Sequence, residues 1–120
     1  MSKRDTVRLG VIGLGNIAGQ HIAHIRAGRV PDCELAALCS RSPAPLAQEL
    51  GIPHFTTVED LADSGTCDAV LIATPTWHHF EAGSAALRAG LHVMMEKPIG
   101  LSVAEGEALL AMAGQDQVFA

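Results

Sequence analysis

The sequence predicts an α/β fold of three layers, a doubly wound parallel sheet with helices on both faces. Short apolar runs of strand length alternate with segments whose apolar residues recur at helical spacing. The turns between them are short and carry glycine or proline. Strands separated by helices pair in parallel through right-handed crossovers, so we expect the strand order 3-2-1-4-5-6.

Composition sets the class of protein. The 120 residues are 48% hydrophobic and carry a formal net charge of -5. We therefore expect one domain, residues 1–120, with a hydrophobic core and no surface for nucleic acid or an anionic membrane. No apolar run approaches the roughly 20 residues that span a bilayer, and residues 1–6 are too short and polar for a secretory signal. The expected location is the cytoplasm.

The first strand and helix enclose a glycine-rich turn. Val7 to Ile12 fits a buried strand, and apolar residues within 17–25 share one helical face. Between them, Gly13, Gly15 and Ala18 match the pattern G-x-G-x-x-G/A. Gly13 permits a tight turn, Gly15 allows close approach of a pyrophosphate, and Ala18 is small enough for close packing of the helix on the sheet.

This turn predicts a dinucleotide site. The first backbone N–H groups of a helix have no partner within the helix, and they favour an anion. Here that position is occupied by Asn16 and Ile17, directly after Gly15. We expect these groups to face the diphosphate of a bound cofactor.

Two strands joined by a short helix come next. Cys33 to Cys39 predicts the second strand. Ser42 is a good N-cap and Pro43 suits the first position of a helix that Gly51 ends. Ile52 to Phe55 is a brief third strand.

The fourth strand is predicted to be central. Thr57, with Asp60 three residues later, resembles an N-capping arrangement for a short helix. Ala69 to Ala73 is the most apolar run of the chain, and Thr74 and Pro75 end it.

The remaining elements continue the alternation. A helix is predicted from His78 or His79 to Ala89, followed by the fifth strand over Leu91 to Met95. Ser102 and Glu105 then form a capping box for a helix that runs to about Gly114. Gln117 to Ala120 starts a sixth strand, within which we expect the chain to be truncated.

Polar residues gather at the carboxyl ends of the strands. In such sheets a ligand binds beyond these ends, where the strand order reverses between the first and fourth strands. The segments expected there are 13–18, 40–41, 74–79 and 96–98. We therefore expect them to form one shared site.

Four segments carry a resemblance to a known family. They are VIGLGNIAG at 11–19, ATPTWHH at 73–79, AL-x-AG-x-HV at 86–93 and EKPIG at 96–100. Across essentially its whole length the chain resembles the cofactor domain of the Gfo/Idh/MocA oxidoreductases, the glucose-fructose oxidoreductase and inositol dehydrogenase family. The resemblance implies a Rossmann fold, a nicotinamide cofactor, and a second domain, absent from this chain, that carries much of a sugar pocket.

The EKP segment is implied to be catalytic. By resemblance, Lys97 lies close to nicotinamide and substrate, where an ammonium would orient the substrate, handle its proton and stabilise a developing alkoxide. The alternative is a solvated loop charge. Glu96 is given a supporting role, pairing with Lys97 or capping backbone groups, and the bond to Pro98 is implied to be cis.

The TP-x-x-x-H motif is implied to line the cofactor. Thr74 and Pro75 are expected beside the nicotinamide ribose, and Thr76 replaces the usual Asn of the family. His79 reaches the diphosphate or ribose, or caps its own helix, and both alternatives stay open. Trp77 lies beside the cofactor or has a simple packing role.

The end of the second strand bears on the choice of cofactor. An acidic residue there would accept from the ribose 2'-hydroxyl and repel a 2'-phosphate. This chain has Ser40 and Arg41, which can bind that phosphate, so NADP is preferred over NAD. An Arg can also stack on adenine in an NAD enzyme.

Cysteine and histidine spacing gives no indication of a metal site. Cys33, Cys39 and Cys67 form no C-x-x-C pair and are interpreted as reduced core thiols. His21 and His24 share a helical face, but no third ligand accompanies them, so packing or surface roles are favoured.

The expected function is that of the cofactor-binding half of an NAD(P)-dependent oxidoreductase. The implied reaction is reversible hydride transfer to or from a secondary hydroxyl of a sugar, cyclitol or related polyol, through a longer protein that forms a homo-oligomer. Two alternatives are kept: an NAD-dependent glycoside hydrolase of the same family, and a non-catalytic nucleotide-binding module.

Overall fold

The computed structural model describes residues 6–120, in which five strands and five helices alternate. The strands are β1 (Val7–Ile12), β2 (Cys33–Cys39), β3 (His54–Phe55), β4 (Ala69–Ile72) and β5 (His92–Met95). The helices are α1 (Asn16–Arg26), α2 (Pro45–Leu50), α3 (Val58–Asp63), α4 (Thr76–Arg88) and α5 (Val103–Met112). None of the helices formed by these residues combines the length and apolar character needed to cross a membrane.

The strands form one parallel sheet in the order β3-β2-β1-β4-β5, which confirms the predicted doubly wound fold. Beyond β5, Phe119 makes an isolated parallel bridge to Val93, and the Met95 N–H donates to the Ala120 carbonyl at 2.8 Å. The end of the chain therefore occupies the place predicted for a sixth strand, but as a single bridge.

Helices cover both faces of the sheet. Neighbouring residues of a strand point to opposite faces, so Val11 and Leu71 join one buried cluster while Ile12 and Ile72 join the other. The first cluster contains residues of α1 and α2, and the second contains residues of α3, α4 and α5. This is the three-layer arrangement that the sequence predicts.

Prolines move three element boundaries away from the predicted ones. Helix α2 begins at Pro45 rather than Pro43, with Ala44 as N-cap in place of Ser42. A residue before proline is held out of the helical region, and Ala44 accordingly has φ -119° and ψ 91°.

Prolines also lie at two other boundaries. Helix α4 begins directly after Pro75, earlier than predicted, with Pro75 as its N-cap at φ -58° and ψ 150°. Strand β3 is limited to two residues, because Pro53 has no N–H for the ladder.

Local capping agrees with the sequence. The Thr57 hydroxyl accepts from the Asp60 N–H at 3.1 Å, and the Ser102 hydroxyl accepts from the Glu105 N–H at 3.2 Å. The Glu105 carboxylate accepts from the Leu101 N–H at 2.8 Å, one residue earlier than in the predicted capping box.

Candidate functional site

The carboxyl ends of β1, β2 and β4 open into a cleft of about 660 Å³. This edge is where the strand order reverses, with β1 between β2 and β4. The predicted site residues that line the cleft are Gly13, Ser40, Arg41, Thr74 and Pro75, together with Trp77. Three of the four predicted segments therefore meet there, and the fourth, 96–98, follows the neighbouring strand β5.

The turn after β1 passes directly against the turn after β4. Gly13 has φ +91°, and a Cβ at this position would lie 2.8 Å from the Ala73 carbonyl oxygen. Gly15 is different, because a Cβ there would meet none of the atoms of residues 6–120 within 4 Å. The backbone is therefore tightly packed at the first glycine and open to an approaching ligand at the second.

Helix α1 has an N-terminus without a side-chain cap. Its N-cap is Gly15, which has no side chain to accept from the helix, and its first turn contains no acidic residue. The first internal bond runs from the Gly19 N–H to the Gly15 carbonyl at 3.0 Å. The N–H groups of Asn16, Ile17 and Ala18 thus precede the internal ladder and are suited to an anion.

Thr74 supplies an independent indication of a ligand. Among residues 6–120, its Oγ1 is the one fully buried side-chain oxygen or nitrogen that has no hydrogen-bond partner. Leaving a buried hydroxyl unpaired costs about 1–3 kcal/mol. Because Thr74 lines the cleft, a rotation of its side chain would bring the hydroxyl to a polar group bound there, which can supply the missing partner.

Arg41 and Trp77 form the outer wall of the cleft. The guanidinium carbon lies 5.6 Å from the centre of the indole ring, a cation–π distance. The Trp77 side chain is 59% exposed, so the interpretation of Trp77 as a packing residue is wrong. Two acidic residues that the sequence analysis did not single out, Glu59 and Glu81, also line the cleft.

Ser40 is already hydrogen-bonded at the end of β2. Its hydroxyl donates to the Ser42 carbonyl at 2.7 Å and lies 2.9 Å from His54 Nε2. With the hydroxyl proton committed to Ser42, the ring nitrogen is the donor of the second bond. His54 thus orients Ser40, a contact that no local pattern in the sequence indicates.

His79 joins two loops of the site. The residue is 1% exposed, with Nδ1 2.8 Å from the Pro98 carbonyl oxygen and Nε2 2.8 Å from the Thr74 carbonyl oxygen. The prediction that His79 caps its own helix is wrong, because α4 begins after Pro75. Direct contact with a dinucleotide has no support in this geometry, since both ring nitrogens face backbone carbonyls.

Lys97 follows β5 on a segment with a cis Lys97–Pro98 bond. Its side chain is exposed, and its ammonium has no hydrogen-bond or ion-pair partner within residues 6–120. The neighbouring Glu96 does not pair with it, which corrects one of the predicted alternatives. Glu96 Oε2 instead lies 2.6 Å from Nε2 of His21, a residue of α1 that the sequence analysis assigned to packing or to the surface.

Cys33 and Cys39 lie in β2, and Cys67 precedes β4. The thiols are free; burial raises the pKa of Cys39 to about 11 and also raises that of Cys67, while Cys33 is only partly buried. Within residues 6–120, no group of three or more His, Cys, Asp or Glu residues is placed to hold a metal ion. His24, on the same helix as His21, is exposed.

Known proteins have sequences related to this one. Residues 7–120 match the family model of the Gfo/Idh/MocA oxidoreductases, described as an oxidoreductase family with an NAD-binding Rossmann fold. A UDP-N-acetylglucosamine 3-dehydrogenase of Acidithiobacillus ferrooxidans is 36% identical over 110 residues, which are 89% of this chain and 33% of that protein. A glycosyl hydrolase family 109 protein of Streptomyces niveus is 34% identical over 116 residues, 86% of this chain and 23% of that protein.

A solved structure has the same fold. The scyllo-inositol dehydrogenase of Lactobacillus casei, with bound NAD(H) and scyllo-inositol, superimposes with a TM-score of 0.86 at 33% identity. The match covers 97% of this chain and 36% of that one, so the chain spans about a third of the length of such relatives. The chain therefore belongs to the Gfo/Idh/MocA oxidoreductase family, as a domain with the NAD-binding Rossmann fold.

Proposed function

We propose that this chain binds NADP, or NAD with lower affinity, in the cleft at the carboxyl edge of the sheet. It does so as the cofactor domain of a dehydrogenase that acts on a secondary hydroxyl of a sugar, cyclitol or related polyol. One observation carries the proposal: Thr74, whose hydroxyl has no partner, lines the same cleft as Gly13 and Leu14, which lead into the uncapped N-terminus of α1.

The residues of the cleft fit the parts of a dinucleotide. The N–H groups of Asn16 and Ile17 would hold the diphosphate, and the open space at Gly15 would let it approach the backbone. Thr74 and Pro75 would line the nicotinamide ribose, where the buried hydroxyl would gain its partner.

Lys97 is the residue that we propose to act on the substrate. Bound NAD(P)+ supplies the acceptor of a hydride from the carbon that carries the reacting hydroxyl. The Lys97 ammonium would donate a hydrogen bond to that hydroxyl oxygen and stabilise the negative charge that develops on it, while the hydroxyl proton passes to a base supplied by the proposed second domain. The exposed side chain, without a protein partner within residues 6–120, is available for this contact.

Arg41 supports the preference for NADP. The strand end offers its guanidinium in place of the carboxylate that would repel a 2'-phosphate, whereas the predicted phosphate contact of Ser40 has no support because its hydroxyl donates to the Ser42 carbonyl. The carboxylates of Glu59 and Glu81 line the same cleft and act against an added phosphate, so the preference depends on Arg41.

Substrate recognition is proposed to come from a second domain of a longer protein. The chain spans about a third of the length of the relatives reported above. We also propose that the longer protein is cytoplasmic and homo-oligomeric, which cell fractionation and light scattering would test.

A second candidate function is supported by the similarity to the Streptomyces niveus glycosyl hydrolase family 109 protein. In that case the same cofactor domain would serve the cleavage of a glycosidic bond with no net oxidation. Incubating the longer protein with NAD+ and aryl glycosides separates the two functions, since release of the aryl group without accumulation of NADH favours the hydrolase. A cofactor domain that binds dinucleotide while the longer protein transforms neither class of substrate would indicate a non-catalytic module.

The decisive experiment is a titration of this chain with NADP+, NADPH, NAD+ and NADH, followed by the fluorescence of Trp77, the single tryptophan. Arg41→Ala is expected to weaken NADP(H) by about 10–100-fold, the range that corresponds to one charge-assisted hydrogen bond of about 1.5–3 kcal/mol. Arg29→Ala removes the same charge outside the cleft and serves as the matched control.

Two results would contradict the proposal. If none of the four dinucleotides binds, the proposed function is wrong. Tighter binding of NAD(H) than of NADP(H), with Arg41→Ala affecting both equally, would reverse the cofactor preference and leave the fold assignment untouched.

A further inference from the structure

Helix α1 makes contact with the Lys97 segment through one side chain. His21 lies in the second turn of this helix, and its Nε2 is 2.6 Å from Glu96 Oε2. A carboxylate can only accept, so Nε2 carries the proton and donates. The two side chains are 31% and 24% exposed, which shields their bond from full competition by water.

The contact joins distant parts of the fold. His21 and Glu96 are 75 residues apart in the sequence, and β4 separates β1 from β5 in the sheet. The bond therefore links the helix that follows β1 to the segment that follows β5, two strands that are not neighbours in the sheet.

Three bonds hold the backbone around Lys97. The Glu96 N–H donates to the Ile72 carbonyl at 3.0 Å, which ties the segment to β4. The Glu96 carboxylate is held by His21, and the Pro98 carbonyl lies 2.8 Å from Nδ1 of His79. The Lys97 ammonium has no partner inside residues 6–120. The backbone of this segment is therefore fixed, while the ammonium that it carries is free to contact a substrate.

We propose that His21 is a positioning residue for Lys97. By donating to Glu96 it holds the segment from which the ammonium projects, and it links that segment to the helix whose N-terminus would receive the diphosphate. Lys97 acting on the substrate rests on the function proposed above, whereas the holding of the segment by His21 is a property of the free chain.

The bond also keeps Glu96 away from Lys97. Without the His21 donor, a partly buried carboxylate would lack a partner, and the nearest cation along the chain is the ammonium of the next residue. An ion pair between these neighbours would occupy the ammonium and pull the segment out of its present conformation. The histidine therefore both holds the carboxylate and leaves the ammonium free.

The test is ¹⁵N relaxation of the 120-residue chain and three variants. His21→Phe keeps a ring but loses the donor, His21→Gln keeps an N–H donor, and His24→Phe changes an exposed histidine of the same helix as a matched control. In His21→Phe we expect the order parameters of the Lys97 and Ile99 amides to fall from about 0.85 to below about 0.6. Amides in the centre of the sheet, such as Val11 and Leu71, should keep their values.

The conservative variant separates positioning from general stabilisation. His21→Gln should restore the order of the two amides at least in part, and His24→Phe should leave them as in the wild type. Glu96→Ala removes the same bond from the other side and should loosen the same two amides, so the proposal stays testable if His21→Phe folds poorly. Unchanged order parameters at Lys97 and Ile99 in both His21→Phe and Glu96→Ala, or an equal loss across the whole sheet, would overturn it.

Dinucleotide titration of the same samples keeps the two proposals apart. If the wild-type chain binds no dinucleotide while His21→Phe still loosens the segment, the proposed function fails and the holding role of His21 stands. If the chain binds dinucleotide and His21→Phe leaves the segment rigid, the function stands and the role of His21 is refuted.

Discussion

Replacing Gly15 by Ala tests the cofactor site without disturbing the fold. Gly15 has φ -81° and ψ -164°, an extended conformation that alanine also adopts. A Cβ there would meet no atom of residues 6–120 within 4 Å. The added methyl would instead occupy the open space through which a diphosphate approaches the start of α1.

The expected magnitudes follow from this geometry. Gly15 is the N-cap of α1, where alanine is less favourable than glycine, so the free energy of unfolding should fall by about 0.5–1.5 kcal/mol. Holding the diphosphate away from the N–H groups should remove one charge-assisted hydrogen bond of about 1.5–3 kcal/mol, so dinucleotide affinity should fall by about 10–100-fold.

Substitutions at two other glycines serve as comparisons for Gly15→Ala. Gly19→Ala places a methyl in open space one turn later in α1, and it should stabilise the chain by about 0.5–1 kcal/mol without affecting binding. Gly13→Ala combines φ +91° with a contact at 2.8 Å from the Ala73 carbonyl oxygen. It should destabilise the chain by about 2–5 kcal/mol through backbone strain and overpacking.

The assay is urea unfolding of each variant, followed by dinucleotide titration under the same conditions. If Gly15→Ala binds dinucleotide as tightly as Gly19→Ala does, the reasoning is refuted, because the open space at Gly15 would then have no part in binding. A large loss of stability in Gly15→Ala would refute it differently, by showing that the site is not open.

Four further predictions rest on single residues. Thr74→Val removes the unpartnered hydroxyl and should stabilise the free chain by up to about 1–3 kcal/mol while weakening dinucleotide binding, and a loss of stability would show that the hydroxyl has a partner. Lys97→Ala in the longer protein should lower kcat by about 10²–10⁴-fold with dinucleotide affinity in this chain unchanged, and unaltered turnover would remove Lys97 from the mechanism. The Arg8 side-chain hydrogen bond holds the pKa of Asp68 below its usual value, so its contribution is present above the unfolded pKa of about 3.9 and is lost as pH falls through the folded value. Asp68→Asn should therefore lower Tm at neutral pH and leave it unchanged in strong acid, and a constant difference at every pH would contradict this. Burial raises the pKa of Cys39 to about 11, so iodoacetamide at about pH 8 should alkylate it far more slowly in the folded chain than in urea, and equal rates would contradict the burial.

The fold could be predicted because its signals are local. Apolar periodicity identifies each strand and most helix faces, and capping by Thr57 and Ser102 involves a donor only three residues away. Where the sequence prediction was wrong, the cause was also local but subtler. At Ala44 the effect of the following proline outweighed the good capping chemistry of Ser42.

Contacts within the site could not be predicted in the same way. His21 meets Glu96 across 75 residues, and the ring nitrogens of His79 lie 2.8 Å from the carbonyl oxygens of Thr74 and Pro98, five and 19 residues away. A lone histidine on a helix has the same local pattern whether it faces solvent or holds a loop, so the sequence alone assigned His21 to packing or the surface.

The sequence by itself determined the α/β class, the strand order and the edge of the sheet that holds the cleft. These follow from periodicity and from the handedness of crossovers, both of which depend on neighbouring residues and chirality. Only the tertiary structure decided which partner each polar side chain of the site takes. Hydrogen bonds form over about 3 Å, and the atoms within that distance of His21, Ser40 and His79 include atoms that packing brings from other elements.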